Sequence, residues 1–109
     1  MSSRDWTTED VRRRAPSVVL VEALGPSFFA HGHLPGAVNI PPHRVRETVR
    51  AVLADPRATI VVYGASPTCG QAGMVIRILR DLGYQDVSRY PAGKQGWAAA
   101  GLPLVTSEG

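Results

Sequence analysis

TIVVYGASPTCGQAGMVIRILRDLG, residues 59–83, reads as a strand, a tight polar loop and a helix. Ile60-Val61-Val62-Tyr63 is a short β-branched run that is apolar on both faces, as a strand inside a parallel sheet should be. Residues 64–70 hold two glycines, a proline, a serine, a threonine and the chain's only cysteine. Val75, Ile78, Leu79 and Leu82 then recur at helical spacing, and Gly83 stands where a helix C-cap belongs. A strand that turns sharply into a helix leaves backbone N–H groups without partners. With the helix dipole they form a cradle for an anion. The chemistry of the chain is expected there.

Upstream, Thr7 or Thr8 caps a short first helix with Glu9 and Asp10 in its first turn, and Pro16 helps to end it. Val18-Val19-Leu20-Val21 is a buried strand, and Glu22 lies at its C-terminal end. In a parallel sheet that end faces the functional crevice. Glu22 either stands at the rim of the site or anchors a neighbouring loop by hydrogen bonds. Gly25-Pro26 opens a helical turn whose Phe28 and Phe29 are expected in the core. A turn at Leu34-Pro35-Gly36 leads into a strand over Ala37–Ile40, and Pro41-Pro42 closes it. A helix from His43 or Arg44 to Leu53 places Val45, Val49, Val52 and Leu53 on one face. Downstream, Val87–Tyr90 is a fourth strand, Pro91-Ala92-Gly93 a second small-residue loop, and a last helix surrounds Trp97. The tail from Thr106 to Gly109 is expected to fray. Strands alternating with helices at this spacing predict an open, mostly parallel α/β sheet with helices on both faces.

Composition narrows the function classes. The 109 residues suit one domain, 1–109, large enough to bury a core without disulfides. No apolar run is long enough for a membrane span, and MSSRDWTTED has no apolar signal region. A lone cysteine cannot close an internal disulfide, so a cytoplasmic setting is expected. The net charge of +3 includes Arg12-Arg13-Arg14 and the set Arg44, Arg46, Arg50. These read as solvated helix faces or as attraction for small anions. No nucleic-acid motif accompanies them, and no aromatic residues are interleaved with them. His31 and His33 have no further ligand at metal spacing, so local hydrogen bonds are their expected role; no metal and no cofactor are expected.

Three stretches together resemble the rhodanese-like, single-domain sulfurtransferase family: GHLPGAVNIP (32–41), IVVYGASPTCGQAG (60–73) and YPAGKQGWAAAGLPL (90–104). The second is similar to a bacterial variant of the family's active loop, Tyr-Cys, four residues, then a second Cys. The resemblance implies a five-stranded parallel sheet flanked by helices. It also implies a cysteine that takes sulfane sulfur from a thiosulfate-like donor and passes it to a thiol or cyanide. The loop 65–71, comprising Ala65, Ser66, Pro67, Thr68, Cys69, Gly70 and Gln71, would hold the anion, with Glu22, His43 and Arg44 at its rim.

The chain departs from that pattern where the nucleophile should be: Gly64 follows Tyr63 directly, and glycine can neither attack nor carry sulfur. Ala72 stands where a serine is usual, and Gly96 where an acidic residue is common. Cys69 is the candidate substitute thiol. Its place at the far end of the loop puts it at the rim rather than the centre, and a displacement of about 1 Å can cost on the order of 100-fold in rate. Activity is therefore lost or reduced, or carried by Cys69. Alternatively, the chain is a non-catalytic module that binds an anion or a protein. Phosphoryl transfer is disfavoured, because no leading cysteine is present and no arginine lies between Gly64 and Ala72.

Overall fold

The computed structural model describes residues 5–106. Four parallel strands form the sheet: β1 (Val19–Glu22), β2 (Val38–Asn39), β3 (Thr59–Tyr63) and β4 (Asp86–Tyr90), in the order β2-β1-β3-β4. Five helices accompany them: α1 (Thr8–Arg14), α2 (Pro26–His31), α3 (Val45–Val52), α4 (Gln71–Asp81) and α5 (Gly93–Ala99). The chain order reverses between β1 and β3, so the crevice of this α/β sheet opens at their C-terminal ends. Those ends are Glu22 and Tyr63, which pair in register.

The resemblance implies five strands; four form among the described residues. Along the outer edge of β4, Trp6 N–H bonds Arg89 O at 2.8 Å. An isolated antiparallel bridge joins His33 to Val105.

Alternation along the strands sorts the core into two layers. Val21, Ile60, Val62 and Val87 face α3 and α4, meeting Val45, Val49, Val75 and Leu79. Leu20, Val61, Tyr63 and Tyr90 face the other way, meeting Trp6, Val11, Leu34 and Trp97. The first helix is held by a capping box: Thr7 Oγ1 accepts from Asp10 N–H, and Asp10 accepts in return from Thr7 N–H. Gly83 takes φ +100° just after α4, where its amide bonds Arg80 O.

Three core expectations fail. Phe28 is 62% exposed and Phe29 only half-buried, because the short α2 buries none of its residues. Val52 is 43% exposed, since it falls off the stripe that Val45, Val49 and Leu53 present inward. The two histidines do bond locally: His31 and His33 each donate from Nδ1, to Ser27 O and Phe29 O, both at 2.7 Å. Of the expected frayed tail, residues 107–109 lie outside the described residues.

A buried polar network sits under the crevice. Glu22 is fully buried, and its Oε1 accepts from Tyr63 O–H at 2.8 Å. The Tyr63 oxygen in turn accepts from Leu34 N–H at 3.1 Å. Lys94 Nζ lies 3.0 Å from Glu22 Oε2, an ion pair not aligned as a hydrogen bond. Lys94 donates to Phe28 O at 2.9 Å and Gly32 O at 2.7 Å. These bonds tie β1, β3, the end of α2 and the start of α5 together. Glu22 thus anchors from below; it does not stand at the rim.

Removing one partner of a buried pair strands the other charge. Lys94→Met should lower stability by about 3 kcal/mol in urea denaturation at neutral pH, and adding Glu22→Gln should recover most of that loss. The Tyr63 phenol is pushed far above the ordinary tyrosine value, first by burial and then by the Glu22 charge. The unfolded chain therefore loses this proton first. The stability that Tyr63 contributes is complete below about pH 10 and falls by about 1.4 kcal/mol per pH unit above it. Tyr63→Phe should flatten the stability slope between about pH 10 and 11, measured by urea midpoints.

Candidate active loop

The loop from Gly64 to Gly70 is built from its carbonyls outward. Gly64 O accepts from Lys94 N–H at 3.0 Å and Ala65 O from Gln95 N–H at 2.9 Å, both donors in the first turn of α5. Ser66 O accepts from Cys69 N–H at 3.1 Å, and Gly70 O from Met74 N–H at 3.3 Å. Arg89 Nη2 donates to Pro67 O at 3.3 Å and Cys69 O at 2.9 Å. The carbonyls on either side of Thr68 are thus held from β4, and those at the loop's start from α5.

The amides behave differently. Among the described residues, Cys69 N–H is spent within the loop, whereas the N–H groups of Ala65, Ser66, Thr68, Gly70 and Gln71 meet no backbone acceptor. Ser66 and Thr68 hydroxyls lie 3.2 Å apart and bond each other. Gln71 opens α4, an eleven-residue helix whose first-turn amides add to the positive end of its dipole. Donors without acceptors beside a helix N-terminus suit a bound anion.

The approach of α5 to the loop is close enough to require a glycine. Gly93 takes φ +60°, and a side-chain carbon there would fall 2.3 Å from Gly64 O. Any other residue at 93 would push the loop away.

The position of Cys69 differs from the sequence expectation. A side-chain carbon built on Gly64 would lie 2.7 Å from Cys69 Sγ and 3.2 Å from Cys69 Cβ. The sulfur therefore fills the space that a residue-64 side chain would occupy. The turn between Ser66 and Cys69 folds the loop's far end back onto its start, which residue spacing alone does not reveal. The thiol is half-buried and lies 3.7 Å from Gln71 Oε1. Ala72, in the place of the expected serine, is buried against the α3–α4 core layer.

His43 and Arg44, expected at the rim, sit in the exposed turn Pro42–Arg44, where Arg44 Nε pairs with Glu47 at 3.0 Å. An open depression of about 370 Å³ beside the loop is lined by Phe28, His31, Ala65, Lys94, Gln95 and Leu104. Sequence reasoning missed Arg89 and Lys94. The signal for Arg89 was present: a charge inside VSRY, a strand otherwise read as buried. Among the described residues no three metal-ligating side chains cluster, and no helix is long and apolar enough to cross a membrane.

Known proteins resemble this chain in sequence and in fold. The family model for the rhodanese-like domain matches residues 7–100. An HTH-type transcriptional regulator of Mycobacterium tuberculosis is 36% identical over 93 residues, covering 85% of this chain and 40% of the regulator. A thiosulfate:glutathione sulfurtransferase of Saccharomyces cerevisiae is 25% identical over 113 residues, covering 90% of this chain and 80% of that protein. The structure of a thiosulfate sulfurtransferase from Pseudomonas aeruginosa superposes with a TM-score of 0.85 and 28% identity, over 97% of this chain and 20% of that one. The chain thus spans less than half of the regulator and a fifth of the Pseudomonas enzyme. With a family match over most of its length and the same fold, the chain belongs to the rhodanese-like domain family.

Proposed function

We propose that this chain transfers sulfane sulfur with Cys69 as the carrier thiol, at a rate reduced by the absence of a nucleophile at position 64. The observation that carries this reading is the seat of Cys69 Sγ, in the space beside Gly64. The Cys69 thiolate attacks the outer sulfur of a thiosulfate-like donor. The donor's S–S bond breaks, sulfite leaves with the electron pair, and Cys69 holds a persulfide anion. Loop amides without backbone acceptors supply donors for that charge. A thiol or cyanide acceptor then attacks the outer sulfur and regenerates the Cys69 thiolate. The depression beside Ala65 gives a small acceptor room to approach. The thiosulfate:glutathione name of the yeast relative supports a thiol acceptor. One domain of this kind needs no cofactor for these steps, and thiol chemistry of this type suits the reducing cytoplasm.

A second reading has its own support. The regulator's 36% identity is compatible with a fold kept as a binding module, in which loop amides hold an anion without any thiol.

Intact-mass analysis after incubation with thiosulfate separates the two. The native protein should gain one sulfur, mapped to Cys69, and Cys69→Ser should gain none. Gly64→Cys alone crowds the Cys69 sulfur, so the control for the cradle is Gly64→Cys with Cys69→Ala, which should also take up sulfur. No gain on native Cys69 would sink the carrier role. If the melting temperature of that sulfur-free protein nevertheless rose with thiosulfate, and equally in Cys69→Ser, the binding-module reading would stand in its place.

A further inference from the structure

Arg89 lies near the C-terminal end of β4, in register with Val62 of β3. Its neighbours Ser88 and Tyr90 are buried. A guanidinium taken into such a strand costs desolvation unless its protons find acceptors. The acceptors it finds are loop carbonyls, Cys69 O at 2.9 Å and Pro67 O at 3.3 Å, both on Nη2. Its Nε is buried and meets no acceptor among the described residues. The side chain is thus committed to the loop rather than to an acidic partner.

The two carbonyls flank Thr68, and Cys69 N–H bonds back to Ser66 O at 3.1 Å. The peptides on both sides of Cys69 are therefore fixed, one set from within the loop and one from β4. Arginine suits this role, since it keeps its charge at any ordinary pH and its planar fork loses little freedom per bond made.

We propose that Arg89 is a positioning residue for Cys69. By holding the carbonyls of Pro67 and Cys69 it fixes the backbone from which the thiol reaches the space beside Gly64. The purpose of that placement rests on the sulfur-transfer reading, but the placement can be measured without it.

The measurement uses Gly64→Cys. The side-chain carbons at 64 and 69 would stand 3.2 Å apart, a few tenths of an ångström inside the usual disulfide range, so a small relaxation lets the two thiols bridge. Oxidised glutathione supplies the oxidant: two successive exchanges oxidise the two cysteine thiols and release two reduced glutathiones. The rate of closure is read by alkylation and mass spectrometry. Adding Arg89→Met should slow closure by about 10-fold or more while circular dichroism shows the protein folded, and Arg89→Lys, which keeps a charged donor, should recover part of the rate. In the native-loop protein, Arg89→Met should lower the saturating rate of sulfur uptake from thiosulfate by about 10-fold, with the half-saturating concentration changed less than about threefold.

Unchanged closure in a folded Arg89→Met protein overturns the proposal. Should that variant fail to fold, the same rates are read on Arg89→Lys and Arg89→Gln, and unchanged rates in both overturn it. The two readings fail separately. Closure that depends on Arg89 in a protein that takes up no sulfur leaves the positioning standing and removes the sulfur-transfer reading. Sulfur uptake with both rates indifferent to Arg89 does the reverse.

Discussion

Every peptide group has two polar ends, and in the 64–70 loop they have opposite fates. The carbonyls of Gly64 and Ala65 are taken by amides at the start of α5, and those of Pro67 and Cys69 by a guanidinium from β4. A buried or half-buried carbonyl left alone would seek a donor and draw the loop out of shape. With the carbonyls satisfied from behind, the amides of Ala65, Ser66, Thr68, Gly70 and Gln71 keep their donor capacity. The rest of the site depends on this asymmetry. In the proposed reading it is what would let the loop meet negative charge with backbone groups alone.

Holding the loop this way requires the β4–α5 segment to be at the right height. Gly93 sets that height, since its missing side chain lets the α5 backbone reach Gly64 O. Buried Glu22 and Tyr63, with half-buried Lys94, then pin the same segment to the ends of β1 and β3. Lys94 takes part at both levels: its amide holds the loop, and its ammonium holds the end of α2 and offsets the Glu22 charge. A buried carboxylate beside a buried phenol is costly on its own. Under the crevice it is held by the Tyr63 hydroxyl and the Lys94 ammonium.

Glycine at position 64 leaves room inside the loop. The space it vacates is filled by the sulfur of Cys69, brought back by the Ser66–Cys69 turn.

By itself, the sequence determined the periodic features. The β-branched run at 60–63, the helical spacing of Val75 and Leu79, and Gly83 after the helix are local patterns, and local sterics and burial enforce them. The resemblance added an expected count of five strands and pointed to the loop after Tyr63. Tertiary structure alone decided which chain segments meet. The outward turn of Phe28 followed from a helix too short to bury it. The burial of Glu22 and the grip of Arg89 on residues some twenty positions away were likewise settled by packing. Spacing along the chain said that Cys69 was five residues from Gly64; only the fold of the loop could say that its sulfur lies where a side chain at 64 would be. Periodicity records which face a residue turns inward, whereas distance across a turn is set by hydrogen bonds to elements far away in the chain.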